Sequence, residues 1–275
     1  MGFRNARFGK IDAHIATCAF ARETLKKATA IAEAQGFKLV HGIVDSMWLQ
    51  KQNATDREYR VLCRQIEQEL DLPISFEGRY KWIVFLNSRV DPRIPVLNRY
   101  YGVFSNGKVK VRGIDLRKHD TSEIVRKCQS DMLAVLSQAN NSREFKILVP
   151  IALAVMKNYV MLLRTGRVPT EDLIIEKRLS KAPEKYSNLV EQAIAAAHLV
   201  REGGSIHAGQ SVNYLITRSK SRISENRALP VELVDENAQY DPERYVELLL
   251  SSTMNLLLPL GYDIKSLKES LQLPK

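Results

Sequence analysis

The sequence predicts an α+β protein, in which a sheet flanked by helices is followed by a mostly helical region. Apolar residues recur at helical spacing in several segments, of which 12–35 and 55–70 are the clearest. Short runs rich in aromatic and β-branched residues, such as 79–86, are typical of strands. After Asp120 helical patterns predominate, which places a domain boundary near residue 116.

The first predicted helix is followed by a β-hairpin that carries one acidic residue. Gly36 ends the helix, and two apolar runs, 37–40 and 47–49, flank a bend at 42–46. Asp45 lies at this bend, where its carboxylate is expected to be exposed. An exposed carboxylate on a hairpin is a plausible metal ligand. An ordinary turn aspartate is the alternative.

The next elements complete the first region. The 55–70 helix has its apolar residues on one face and stops before Pro73. After the 79–86 strand and a proline-containing loop, residues 98–104 and 108–114 form a second hairpin around an Asn-Gly turn.

The second region begins with a capping-box pattern, in which Asp120 is the expected N-cap and Glu123 occupies the third helical position. Ser142 is expected to cap the following helix. The spacing of apolar residues predicts four helices in this region, over 120–139, 142–164, 184–201 and 242–258. One strand is predicted over 210–217.

Composition narrows the classes of partner. The chain has 275 residues, with 41 Lys and Arg against 31 Asp and Glu, giving a net charge of +10. Such a balance favours a polyanionic partner, nucleic acid first. No run approaches the roughly 18 apolar residues of a membrane span, so no membrane partner is expected. The three isolated cysteines fit a reducing cytoplasm.

Several stretches resemble motifs of archaeal-type family B DNA polymerases, and they follow one another along the chain in the same order as in the family. His41–Ser46 falls on the family's Tyr-Gly-Asp-Thr-Asp-Ser hairpin, and Arg99-Tyr100 falls on the end of its Lys-Lys-Arg-Tyr motif. The other stretches that resemble the family are Gly2–Gly9, Lys110–Asp115, Lys118–Ile124, Asn226–Ala228 and Tyr240–Tyr245.

The resemblance implies that residues 1–115 are the C-terminal part of a polymerase palm and that residues 116–275 are the thumb. The implied activity is that of a DNA-directed DNA polymerase, a nucleotidyltransferase that uses Mg²⁺, a primer–template and deoxynucleoside triphosphates. Asp45 matches the second hairpin aspartate of the family and is the implied catalytic metal ligand. Ile43 stands where the first usually is, so the site has at least one ligand fewer.

The resemblance also implies DNA contacts and one further acid. Glu77 is a candidate second acid near the metals, with an exposed strand-edge glutamate as the alternative. Tyr100 is a candidate primer contact, with a sheet-core aromatic as the alternative. Solvated surface cations are the alternative for most of the implied DNA-binding set, which is Arg99, Tyr100, Arg112, Lys118, His119, Arg218, Lys220, Arg222 and Arg227.

The early palm aspartate, the fingers helix and the exonuclease of the family have no counterpart in this sequence. The isolated chain is therefore expected to be inactive, with a separate polypeptide supplying the exonuclease, the fingers and the rest of the palm. It is expected in the cytoplasm, associated with the nucleoid. A catalytically inactivated palm–thumb module that binds DNA or a partner is the alternative function, and a poorly folding gene remnant is a third possibility.

Overall fold

The computed structural model describes residue 7 and residues 9–43, 45–88, 91, 93–235 and 238–273. The chain divides into two compact units, with the division after Tyr80. Unit 1 is Met1–Tyr80, and unit 2 is Lys81–Lys275.

Unit 1 contains the elements that the sequence predicts for it. These are α1 (Ile11–Ala34), β1 (Lys38–Ile43), β2 (Ser46–Gln50) and α2 (Asp56–Leu70). Gly36, at φ +80°, lies directly after the end of α1. A reciprocal capping box begins α2, because the Thr55 hydroxyl accepts from the Glu58 N–H while the Glu58 carboxylate accepts from the Thr55 N–H.

Only the second half of α1 belongs to the core of unit 1. That core is small and consists of Ala28, Ala32, Phe37, Ala54, Leu62 and Ile66. The first half, Ile11–Phe20, is exposed along its whole length although seven of its ten residues are apolar. Ile11, Ile15 and Phe20 are 60%, 59% and 74% exposed. Apolar surface of this extent on one helix is typical of a contact surface.

Unit 2 begins with a three-stranded sheet that shares one core with helices. Strands β3 (Tyr80–Asn87), β4 (Pro95–Phe104) and β5 (Val109–Arg112) lie in that order, and β4 pairs antiparallel with β5. The ring of Trp82 on β3 contacts Phe145 at 4.7 Å and Tyr101 at 6.0 Å. Because Phe145 lies beyond residue 116, the predicted domain boundary falls inside unit 2. The assignment of residues 1–115 and 116–275 to two family domains stays a prediction.

The rest of unit 2 is mostly helical, which confirms the predicted α+β class. It contains α3 (Glu123–Leu136), α4 (Ser142–Arg164), α5 (Glu191–Arg201), α6 (Pro242–Leu257) and α7 (Ile264–Leu271). Its second sheet has antiparallel strands in the order β6 (Ile175–Arg178), β7 (Ser211–Ile216) and β8 (Ala228–Pro230).

Three helix starts in unit 2 differ from the sequence predictions. The N-cap of α3 is Ser122 and not Asp120, and the Ser122 side chain makes no cap hydrogen bond. The Oδ2 atom of Asp120 lies 3.8 Å from Lys177 Nζ. The N-cap of α4 is Asn141, whose side chain accepts two backbone N–H groups, and Ser142 is already helical. The predicted helix from residue 184 begins only at Glu191, after a short 3₁₀ turn at 183–185.

Helix α4 is a core helix, although by length and apolar composition it could cross a membrane. The expectation that no segment of the chain has the length and apolar content of a membrane span is wrong for this helix. Seven of its side chains are buried in unit 2: Phe145, Val149, Ala152, Leu153, Met156, Val160 and Leu163. This packing accounts for the apolar residues on the inner face of α4.

Two buried hydroxyl groups join distant parts of unit 2. The Tyr101 hydroxyl on β4 donates to the Leu256 carbonyl on α6 at 2.8 Å. The Tyr245 hydroxyl on α6 donates to the Leu173 carbonyl at 2.7 Å and accepts from the Ile216 N–H at 3.1 Å. Burial raises the pKa of both tyrosines, so both hydroxyls remain protonated donors at neutral pH.

We expect Tyr101→Phe and Tyr245→Phe each to lower the free energy of unfolding by about 1–3 kcal/mol, because each leaves a buried carbonyl without its donor. Urea denaturation followed by circular dichroism measures this change. Tyr262→Phe is the control, because no hydrogen bond from the Tyr262 hydroxyl is found among the described residues. Equal stability of all three variants would contradict the prediction.

Candidate functional site

The hairpin β1–β2 holds Asp45 at its turn. Ile43 pairs with Ser46, and Gly42 pairs with Met47. Asp45 is exposed, and its Oδ1 accepts a hydrogen bond from the Ser46 hydroxyl at 3.2 Å. The predicted exposure of this carboxylate is confirmed. Val44, the remaining turn residue, lies outside the described residues.

Packing on one face of the hairpin fixes the position of the turn. Met47 and Leu49 pack against the core of unit 1, and the Thr29 hydroxyl on α1 contacts the Met47 sulfur at 3.6 Å. The rings of His41 and Trp48, which pair across the strands, lie 4.9 Å apart. The carboxylate of Asp45 is therefore presented by a packed hairpin.

The described residues do not supply a complete metal site by themselves. They contain no cluster of three or more His, Cys, Asp and Glu side chains able to hold a metal ion. Mg²⁺ is usually held by one or two carboxylates together with substrate phosphates and water. Asp45 fits one such ligand position, and Ile43 has no ligand atom. Further ligands would have to come from elsewhere.

Glu77, the predicted second acid, lies in the extended segment between α2 and β3. Its side chain is exposed, and the segment 72–79 has no regular secondary structure. Its role near a metal stays a prediction.

Arg99 and Tyr100 lie side by side on β4 but differ in exposure. Arg99 is half-buried, and its Nε donates to the Gly113 carbonyl at 3.1 Å. Tyr100 is 1% exposed, and its ring lies 5.9 Å from that of Phe85. This burial matches the alternative interpretation of Tyr100 as a sheet-core aromatic, while its contact with DNA stays a prediction.

Gly113 follows β5 at a position where no other residue fits. Its φ is +66°, and a Cβ atom there would lie 2.6 Å from the Asn98 carbonyl oxygen and 2.7 Å from Arg99 Cγ. This close approach holds the end of β5 against β4 near Arg99. Arg112, on β5, pairs with Tyr100 and has an exposed side chain.

Lys118 and His119 lie between β5 and α3, where Arg126 holds the backbone. Arg126 Nη2 donates to the Lys118 and His119 carbonyls at 3.1 and 3.0 Å. Lys118 Nζ lies 2.5 Å from Asp115 Oδ1, and this ion pair reduces the charge that Lys118 can offer to a phosphate. His119 is exposed.

The loop after β7 exposes three of the four predicted cations, Arg218, Lys220 and Arg222 (the basic loop). Arg227 is half-buried, because its Nε donates to the Ser221 carbonyl at 2.9 Å. The acid within this stretch, Glu225, pairs with Arg201 at 2.9 Å. The basic loop therefore presents its charge without a compensating carboxylate from Glu225.

The basic loop is anchored by Asp241, a residue to which the sequence alone assigns no role in a site. Its Oδ2 accepts from the Ser219 N–H at 2.9 Å and from the Ser219 hydroxyl at 2.6 Å, and its Oδ1 accepts from the Arg244 N–H at 3.1 Å. Burial opposes ionisation, but these hydrogen bonds hold the pKa of Asp241 below its usual value. The signal available in the sequence was the Asp-Pro-Glu pattern of a helix start.

A cavity of about 310 Å³ lies between the basic loop and the start of α6. Arg218 and Lys220 line it on one side, and Tyr240 and Asp241 line it on the other. The loop thus combines exposed cations with a fixed backbone, which suits repeated contact with phosphate groups.

Comparison with known proteins gives a consistent result. A sequence profile of DNA polymerase family B matches residues 10–260. The DNA polymerase of Archaeoglobus fulgidus is 27% identical over 99% of this chain, and DNA polymerase 2 of Aeropyrum pernix is 24% identical over 98%. These matches cover 35% and 31% of the two relatives, so the chain spans about a third of their length.

The fold is also similar to a solved structure. The family B DNA polymerase from the archaeon Pyrobaculum calidifontis matches 95% of this chain and 32% of its own, with a TM-score of 0.65 and 24% identity. At this level of identity the match supports the fold alone.

We expect Asp241→Ala to lower the free energy of unfolding by about 1–2 kcal/mol at pH 7, because it removes the cap of α6 and the anchor of the basic loop. The folded-state pKa of Asp241 is lowered. The stabilisation is therefore complete above the unfolded pKa of about 3.9 and is lost as the pH falls through the folded value. Urea denaturation at pH 7 and pH 3 measures it. Glu67→Ala on α2 is the control, and an equal loss in both variants would contradict the assignment.

Proposed function

Since the chain belongs to DNA polymerase family B, we propose that it is the C-terminal palm and thumb portion of a DNA-directed DNA polymerase. It contributes one metal-binding carboxylate and a set of contacts to the primer–template duplex. It acts in the cytoplasm on chromosomal DNA, and it is inactive until another polypeptide completes the active site.

The observation that carries this proposal is the exposed carboxylate of Asp45 on a packed hairpin, within the part of the chain that the family profile covers. Bound Mg²⁺ would stabilise the attacking and leaving oxygens of nucleotidyl transfer. The chain's own contribution is to hold Asp45 at the turn, with its orientation restricted by Ser46.

The exposed half of α1 supports the need for a second polypeptide. Ile11, Ile15 and Phe20 present apolar side chains to solvent on a unit whose core has six buried residues in the described part of the chain. This chain spans about a third of the relatives' length, and we propose that a segment equivalent to the remainder covers this apolar face. We therefore assign the face formed by Ile11–Phe20 to the polypeptide that carries the exonuclease, the fingers and the rest of the palm.

The duplex contacts come from unit 2. Arg218, Lys220 and Arg222 have exposed side chains on a loop anchored by Asp241, and contacts from such cations bind phosphates regardless of base sequence. Arg112 and His119 add exposed groups near the first sheet. Lys118 and Arg227 contribute less, because each is engaged within the chain.

Ile43 favours the alternative function, an inactivated palm–thumb module. It occupies the hairpin position that pairs with Ser46, where a second carboxylate would lie close to Asp45. A module without catalysis would still use the basic loop and the exposed half of α1. Assembly and duplex binding are therefore common to both functions, and metal-dependent catalysis separates them.

We expect the isolated chain to bind duplex DNA with an affinity that falls roughly 40-fold between about 50 and 200 mM salt, as about three phosphate contacts require. The triple variant Arg218→Ala, Lys220→Ala, Arg222→Ala should bind more weakly and show a flatter salt dependence in fluorescence anisotropy. The control removes the same charge from unit 1, with Arg22→Ala, Lys27→Ala and Arg64→Ala. A salt-independent affinity, or an equal loss in both triple variants, would exclude the basic loop as the contact.

We expect Mg²⁺-dependent primer extension when the chain is co-expressed with the polypeptide encoded immediately upstream, and none from the chain alone. Asp45→Asn should lower the extension rate by at least about 100-fold, because the amide replaces the charged ligand oxygen. Glu67→Gln on α2 is the matched control. A pair that assembles and binds DNA but never extends a primer would establish the inactivated module instead.

Assembly is measured separately by co-purification of the pair. Ile15→Asp with Phe20→Asp should abolish co-purification, whereas Asp45→Asn should leave it intact. This difference distinguishes a lost interface from a lost metal ligand.

A further inference from the structure

The outer face of α4 exposes an apolar row while its inner face is buried in the core of unit 2. Ile147, Ile151 and Met161 are 66%, 53% and 52% exposed. Together with exposed Ala154 and Asn158, they follow one another at alternating steps of four and three residues. At 1.5 Å per residue the row is roughly 21 Å long.

This alternation is the spacing of a coiled-coil seam. In heptad terms Ile147, Ala154 and Met161 take d positions, and Ile151 and Asn158 take a positions. A single asparagine among the apolar seam positions is a common means of fixing the register between two helices. The row therefore has the pattern of a surface that receives another helix.

One edge of the row is basic at every heptad except the second. Arg143, Pro150, Lys157 and Arg164 occupy successive g positions, the positions that form ion pairs with a facing helix. Arg164 pairs with Glu243 at 2.7 Å within the chain. Arg143 and Lys157 are exposed, and Lys157 Nζ donates to the neutral amide oxygen of Gln272 at 3.2 Å. A neutral amide leaves the positive charge of Lys157 available to a partner.

We propose that the outer face of α4 docks an amphipathic helix of a partner protein, with apolar residues at its own seam and acidic residues along the edge that faces Arg143 and Lys157. Charge complementarity selects this occupant. An antiparallel second copy would bring Arg143 close to Arg164 of that copy and offers no acidic residue at these g positions. A DNA duplex would leave Ile147, Ile151 and Met161 against phosphates. The inference goes beyond the proposed function and does not depend on it.

The test uses the full chain and two fluorescent synthetic peptides of about four heptads, with leucine at a and d. One carries glutamate and the other lysine at the e and g positions. The glutamate peptide should bind at least about tenfold more tightly than the lysine peptide in fluorescence anisotropy. Ile147→Asp with Ile151→Asp should weaken its binding at least about tenfold. Val61→Asp, at an exposed apolar position on α2, should leave the affinity unchanged.

The charge-reversal variant Arg143→Glu with Lys157→Glu should exchange the preference, so that the lysine peptide binds more tightly. Circular dichroism establishes that each variant is folded. Equal binding of the two peptides, or a preference that survives charge reversal, would overturn the proposal. It would also be overturned if vesicles of phosphatidylserine or a DNA duplex displaced the peptide. A dimer of the chain alone that Ile147→Asp dissociates would make a second copy the occupant.

Discussion

The hydrogen bond from the Tyr101 hydroxyl to the Leu256 carbonyl joins residues 155 positions apart in the sequence. Through it, a strand of the first sheet contacts the C-terminal part of α6 inside a buried core. Trp82 and Phe145 continue this contact to β3 and α4. The predicted DNA-contacting residues on β4, on β5 and after β7 are therefore parts of one packed body. The predicted palm-to-thumb division at residue 116 therefore lies inside one folding unit.

The polar groups that the sequence singles out are divided by the structure into those held within the chain and those exposed. Lys118 is engaged by Asp115, and Arg227 by a backbone carbonyl. Arg218, Lys220 and Arg222 are exposed, because Asp241 fixes the loop backbone through Ser219 and leaves their side chains outside. The net charge of +10 therefore overstates the charge available to a polyanion. The distribution of this charge depends on hydrogen bonds that are not local in sequence.

Elements in which apolar residues recur regularly over many positions could be predicted from the sequence. The predicted α1, α2, β1–β2 hairpin and fold class are confirmed. Strands β6 and β8 were missed because they are four and three residues long and are defined by pairing with β7 rather than by their own pattern. The start of α3 was misplaced because Asp120 lies near Lys177, which no local pattern reveals. In the candidate site the exposure of Asp45 followed from turn chemistry. The burial of Tyr100 required knowledge of the neighbouring strands.

The close contact at Gly113 limits which substitutions the surface around Arg99 and Arg112 can accept. The side chain of Arg112 can be replaced by itself, since it is exposed on β5, whereas that of Arg99 also donates to the Gly113 carbonyl. A side chain at Gly113 would meet the backbone of Asn98 at 2.6 Å, so this position can change only together with β4. Evolution can therefore vary the chemistry of this surface by single substitutions, whereas a change in its spacing requires coordinated changes in two strands.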